Sequence, residues 1–202
     1  LSDMTNAKEY IKKNDYIICA DGGTRYALAL GITPDIILGD FDSLAPELQE
    51  TLQGKKIEWI AYNKEKDETD SELALKHVIE KGYKDIFLFG VFGSRIDHML
   101  TNFFALDLLA KNNVDVTVIE GNKEMKVITK HTIFHGKKGD LLSLIPLKST
   151  AKKVVTKNLY YPLKNDDLLF GYSRGLSNVF TTNTAEVSLT DGSLLAIHEK
   201  AS

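Results

Sequence analysis

The stretch DIILGDFDSLAPELQETL, residues 35–52, reads as one strand, an acidic loop and a helix. Asp35 to Gly39 is a short apolar run with strand character. Pro46 opens a helix that runs to Leu52, since a fixed φ and a missing N–H suit the first helical position. Between them stand Asp40 and Asp42, one residue apart with no lysine to separate them. Side chains alternate along an extended chain, so Asp40 and Asp42 are expected on one side and Phe41 on the other. Two such carboxylates repel unless both face water or a positive charge lies between them.

The same alternation extends in both directions. Tyr16 to Ala20, Ile57 to Ala61, Asp85 to Gly90 and Val114 to Glu120 read as strands. Thr24 to Leu30, Ser71 to Lys81 and Arg95 to Asn112 read as helices, the first two stopped by Gly31 and Gly82. Strands alternating with helices imply a parallel sheet covered by helices on both faces. Beyond residue 123 no long helical pattern continues. Residues 126–146 and 152–160, Leu168 to Phe170, Ala185 to Leu189 and Leu194 to His198 are strand-like. Asp191-Gly192, between the last two, is a hairpin signal. The expected architecture is an α/β domain over residues 1–122, with a parallel-sheet α/β/α arrangement, and an all-β sandwich over residues 123–202.

Composition narrows the function. The chain has 202 residues, 43% hydrophobic and 26% charged, with a net charge of −3. A mixed charge pattern with no basic excess argues against a nucleic-acid partner. No apolar run approaches the roughly 20 residues that cross a bilayer, and no signal peptide is visible, so no membrane partner is expected. Cys19 is the sole cysteine, which excludes an intrachain disulfide and points to a reduced, cytoplasmic compartment. The first residue is Leu1 rather than Met, so natural residues before it are expected to be missing.

Aspartates after strands commonly form turns or caps. Here, however, Asp21, Asp40 and Asp42 follow strands and Asp70 opens a helix. Open α/β sheets bind ligands at the carboxyl ends of their strands. A hard divalent ion would relieve the mutual repulsion, and Mg²⁺ fits carboxylates shared with substrate phosphates. No histidine or cysteine stands nearby to favour a softer metal. Thr69 and Glu72 have capping-box spacing at the start of the Asp70 helix. A second constellation, GVFGSRIDH at residues 90–98, follows a strand and opens a helix. Its glycines allow a ligand close to the backbone, and free N–H groups at a helix start attract phosphate. Arg95 adds a planar phosphate partner. Ser94 reads as the N-cap and Asp97 as a favourable first-turn acid. His98 and Asn102 lie one helical turn apart.

Taken in order, Asp21-Gly22-Gly23-Thr24-Arg25, Gly31-Ile32-Thr33-Pro34-Asp35, Gly39-Asp40-Phe41-Asp42-Ser43, Asp67-Glu68-Thr69-Asp70, Gly93-Ser94-Arg95-Ile96-Asp97-His98 and Gly175-Leu176-Ser177-Asn178 resemble the thiamine pyrophosphokinase family. The resemblance covers nearly the whole chain. It implies transfer of the β,γ-diphosphate of ATP to the hydroxyl of thiamine, with AMP released. It implies a homodimer in which thiamine lies between the catalytic part of one subunit and the β domain of the other. It assigns Asp40, Asp42 and Asp70 to Mg²⁺, with Asp21 a weaker ligand. Asp42, Asp70, Arg95 and Asp97 become the catalytic set. Asp21, Gly22, Arg25, Gly93, Ser94, Arg95 and His98 are the expected nucleotide contacts, and Ser177, Asn178 and Phe180 the expected thiamine contacts. The family usually has a first strand before the segment that begins here at Leu1, so that strand is expected among the missing residues, and Ser94 stands where glycine is common. The alternatives are a pyrophosphokinase for another hydroxyalkyl heterocycle such as a pterin, a non-catalytic nucleotide or thiamine sensor, and a metal-dependent phosphohydrolase.

Overall fold

The apolar runs of the first half form strands and the amphipathic stretches form helices, as their periods require. In the computed structural model, which describes residues 2–42, 44–93 and 95–201, a one-turn helix α1 (Ala7–Tyr10) precedes β1 (Ile18–Ala20). A 3-10 turn (Asp21–Gly23) leads into α2 (Thr24–Ala29). Then follow β2 (Ile36–Gly39), α3 (Pro46–Leu52), β3 (Glu58–Ala61) and α4 (Asp70–Glu80). The half closes with β4 (Asp85–Phe89), α5 (Ile96–Lys111) and β5 (Asp115–Glu120). The second half is all strand: β6 (Lys123–Ile128), β7 (His131–His135), β8 (Leu141–Pro146), β9 (Ala151–Lys157), β10 (Lys164–Leu168), β11 (Asn178–Val179), β12 (Thr184–Ser188) and β13 (Leu194–Glu199).

The parallel strands divide between two sheets. β1, β2 and β3 form one, with β2 central and parallel to both neighbours. β4 and β5 pair in parallel, but β5 then pairs antiparallel with β6. The result is a six-stranded sheet in the order β11-β8-β13-β6-β5-β4. The turn at Gly121-Asn122, where the boundary between the two domains was expected, therefore joins two neighbouring strands of one sheet. Along β13 the alternation is clear. Leu194 and Ala196 pack into the sandwich against the second sheet, β10-β9-β12-β7, while Leu195 packs with Leu106 and Leu109 of α5. Both faces of the six-stranded sheet are thus covered, one by strands and one by helices.

Two expectations fail for identifiable reasons. Asp191-Gly192 does not make a hairpin of β12 and β13. β12 already has β7 and β9 on its two edges, and β13 lies between β6 and β8. The turn is instead bonded to the start of β9, where the Lys152 N–H donates to Asp191 O at 2.9 Å, and the chain crosses to the other sheet. β10 ends at Leu168, where a strand over Leu168 to Phe170 was expected to begin. Leu168 is buried, while Leu169 and Phe170 are exposed. Among the described residues, no helix is long and apolar enough to cross a membrane.

Candidate functional site

Parallel pairing of Ala20 with Leu38 brings the ends of β1 and β2 to one edge of the small sheet. Asp21 follows the first and Asp40 the second. α4 begins at Asp70, where Thr69 Oγ1 caps the helix by accepting the Glu72 N–H at 3.1 Å. Carboxylate oxygens of Asp21, Asp40 and Asp70 all lie within 4.8 Å of one another. Gly39 makes this approach possible. Its φ is +147°, and a Cβ placed there would sit 2.9 Å from Asp21 Cβ and 3.3 Å from Asp70 Oδ1. The carboxylates therefore close over a bare backbone.

Asp42 leaves this group, against the expectation from strand alternation. Phe41 adopts φ +62°, which ends the extended geometry at once. The Asp42 N–H then folds back and donates to Asp40 Oδ1 at 3.1 Å. Asp42 Oδ2 accepts from Lys64 Nζ at 2.6 Å, and that hydrogen bond holds the Asp42 carboxyl below its ordinary range. Phe41 turns inward and meets Trp59 edge-on, ring centroids 5.3 Å apart. The loop carrying Lys64 is tied to the same strand end, since the Tyr62 N–H donates to Gly39 O at 2.9 Å. From that loop Lys66 Nζ reaches 3.0 Å from Asp70 Oδ1, with its side chain only 14% exposed.

The glycine-rich loop lies between β4 and α5. The cap position of α5 falls on Arg95, whose side chain makes no cap hydrogen bond; Ser94, expected as the cap, lies outside the described residues. Arg95 grips Asp97 with two donors, Nε to Oδ1 at 3.2 Å and a terminal nitrogen to Oδ2 at 2.6 Å. This fork pushes the Asp97 pKa down to about 2. Both side chains are exposed, as is His98. Arg25 lies over the Tyr26 ring at 5.0 Å. Gly22, Arg25 and Gly93 line a cavity of about 780 Å³ that runs between the unpaired edges of β1 and β4. Tyr16 and Tyr83, one just before each strand, stack at 5.6 Å.

In the β domain, Ser177 is exposed with φ +55°, and its N–H donates to Ser143 Oγ at 3.0 Å. The buried Asn178 amide clamps a backbone: Nδ2 donates to Tyr161 O at 2.7 Å and Oδ1 accepts the Tyr161 N–H at 2.9 Å. Phe180 is 1% exposed and stacks on His198, with ring centroids 4.9 Å apart, inside the sandwich core. It presents no face to a ligand. The clamp instead presents Tyr160 and Tyr161, both 65% exposed and edge-to-face at 4.9 Å. Two adjacent tyrosines in a turn after β9 were the sequence signal for this pair, which no motif marked.

Three oxygen donors gathered over a glycine, without sulfur or imidazole, suit a hard divalent cation. Comparison with known proteins gives the same frame. Residues 7–118 match the thiamin pyrophosphokinase catalytic-domain model, and residues 130–194 match the thiamin pyrophosphokinase vitamin B1 binding domain. The thiamine pyrophosphokinase of Bacillus subtilis is 28% identical over 199 residues, covering 98% of this chain and 92% of that protein. A crystal structure of thiamine pyrophosphokinase from Bacillus subtilis superposes with a TM-score of 0.88 at 25% identity, covering 98% of this chain and 93% of that one. One from Geobacillus thermodenitrificans gives 0.84 at 25% identity, with 98% and 92% covered.

Proposed function

The chain belongs to the thiamin pyrophosphokinase family, and from that premise we propose that its reaction runs at the carboxylates of Asp21, Asp40 and Asp70. It is an enzyme that transfers the diphosphate group of ATP to the hydroxyl of thiamine, giving thiamine diphosphate and AMP. The observation that carries the site is the approach of three carboxylates from three elements to within 4.8 Å. A divalent cation bound there, Mg²⁺ in this reading, supplies charge neutralisation for the phosphates. Asp42, held in place by Lys64, lies at the rim of the group. Arg95 donates to phosphate oxygens, with Asp97 fixing the plane of its guanidinium. Gly22, Arg25, Gly93, Ser94 and His98 complete the nucleotide side. The thiamine oxygen bonds to the β-phosphorus, the bond to the AMP oxygen breaks, and a carboxylate of the cluster takes the hydroxyl proton.

Thiamine is a cation with aromatic rings, so its site needs a π face and polar partners. Ser177 and Asn178 supply the polar edge, and Tyr160 or Tyr161 takes the stacking role expected of Phe180. We place the site between two copies of the chain, in the cytoplasm. Ile96, Leu100, Phe104 and Leu108 are exposed at four-residue spacing along α5, and this stripe supports a homodimer. The pterin and sensor alternatives are not favoured, because both the catalytic and the vitamin-binding models match.

The test is product identity. With ATP, Mg²⁺ and thiamine, AMP is expected, and only when thiamine is present. ADP or free phosphate as the product, or AMP formed equally with a hydroxymethyl pterin, would overturn the assignment.

A further inference from the structure

Lys66 stands in an unusual place. It precedes the first turn of α4, where the helix dipole disfavours a cation. Its side chain is also mostly withdrawn from water, at 14% exposed, which adds a desolvation cost for the ammonium. The acidic cluster offsets both costs. Lys66 Nζ lies 3.0 Å from Asp70 Oδ1, the same oxygen that faces the bare Gly39. Lys64, two residues earlier on the same loop, is 75% exposed on Asp42 and has no comparable burial. Arg95 and Arg25, the other cations named for the nucleotide, are engaged with Asp97 and the Tyr26 ring. Lys66 is therefore a cation paired directly with a carboxylate of the cluster.

Resting on the metal-site reading above, we infer that Lys66 is a phosphate-binding residue that exchanges partners. It holds Asp70 Oδ1 until it gives that oxygen up to a divalent cation, and it then donates to a phosphate oxygen of the nucleotide. Two positive charges on one carboxylate oxygen repel, so the ammonium and the metal compete for Asp70. A displaced ammonium retains three donors that need acceptors, and phosphate is the acceptor that arrives with the metal. The loop limits how far it can move. Tyr62 is bonded to Gly39 O and Thr69 caps α4, so Lys66 swings between two fixed points.

This arrangement makes a two-sided prediction that a plain surface ion pair does not. Lys66→Met removes the competitor and the phosphate donor together. Without nucleotide, Mn²⁺ binding followed by electron paramagnetic resonance should tighten several-fold. With nucleotide, KM for Mg·ATP should rise about tenfold or more, while KM for thiamine stays unchanged. Lys66→Arg, which keeps the charge, should bind free Mn²⁺ like the wild type and regain part of the ATP affinity. Thermal unfolding of both variants shows whether the fold is kept. Unchanged Mn²⁺ affinity or an unchanged KM for ATP in a folded Lys66→Met would overturn the exchange. Failure of the metal site itself would look different: the wild type would then bind Mn²⁺ no better than Asp70→Asn.

Discussion

Gly39→Ala tests the carboxylate cluster at its most constrained point. The new Cβ would lie 2.9 Å from Asp21 Cβ and 3.3 Å from both Asp70 Cγ and Asp70 Oδ1. Carbon atoms pack best at about 3.5–4.0 Å, so Asp21 must retreat by roughly half an ångström or more. Asp21 is buried and cannot swing into solvent, which forces the strain onto the ends of β1 and α4. The backbone adds to this, because φ +147° is a region that non-glycine residues rarely enter. Such strain costs about 1–3 kcal/mol. A misplacement approaching 1 Å in a catalytic constellation lowers turnover by about a hundredfold. The expected variant is folded, loses about 2 kcal/mol in urea unfolding, and drops about a hundredfold in kcat/KM for Mg·ATP. Gly82→Ala is the control. Gly82 also has positive φ, +78°, but a Cβ there meets nothing within 4 Å. It should lose stability and keep its activity. If Gly39→Ala turned over within threefold of the wild type, the close approach of these carboxylates would have no role in the reaction.

The other predictions concern stability and substrate. Asp107 is 3% exposed and binds Lys148, Lys111 at 3.3 Å and Ser193 at 3.1 Å, so it pins α5 to the β domain. Asp107→Ala should cost about 1–3 kcal/mol in urea unfolding, chiefly by leaving the buried Ser193 hydroxyl without its acceptor, and a loss under about 0.5 kcal/mol would remove it from the structural ties. Burial opposes the Asp107 charge, but Lys148, Ser193 and Lys111 outweigh it and lower the carboxyl pKa. The stabilisation is therefore present above the ordinary carboxylate range and fades as pH falls through the lowered value, which acid titration of the wild type against Asp107→Asn would register. Burial pushes the Cys19 thiol up to about 12, so the native protein should resist thiol reagents at pH 8 and react only once unfolded. Stoichiometric labelling of folded protein would contradict that. Phe180→Ala should lose about 3–5 kcal/mol through a core cavity with KM for thiamine little changed. Tyr161→Ala should do the reverse, and exchange of these two outcomes would return Phe180 to the substrate.

The elements were legible in the sequence where periodicity is local. α3 spans Pro46–Leu52 as its proline and apolar spacing imply, and Thr69 caps α4 as its spacing to Glu72 implies. Strand partners were not legible, because pairing depends on which edges remain free after the rest of the chain has folded. The Asp191-Gly192 turn has the residues of a hairpin, yet β12 was already flanked on both sides. In the same way, nothing near Gly121 signals that β5 and β6 continue one sheet through what reads as a boundary. α1 escaped notice because four residues carry no period; it is held from outside, through Tyr10 bonded to Glu124 at 2.7 Å and Lys200 at 2.8 Å.

At the site, what the sequence concealed was the conformation of Phe41. An aromatic residue at φ +62° gives no local warning, since glycine or asparagine would be the usual occupant. The cost is of order 1–3 kcal/mol, and something must hold the ring there. Phe41 packs edge-on to Trp59 and against the cluster containing Cys19, Ile37 and Leu44, while the Asp42 N–H closes the turn on Asp40. Had β2 continued, Asp40 and Asp42 would share one face, and their charges would add to those of Asp21 and Asp70. The left-handed turn separates them: Asp40 goes to the cluster and Asp42 to Lys64. The aromatic anchor thus limits how many like charges meet at one point, and it does so through a ring that packs on Trp59.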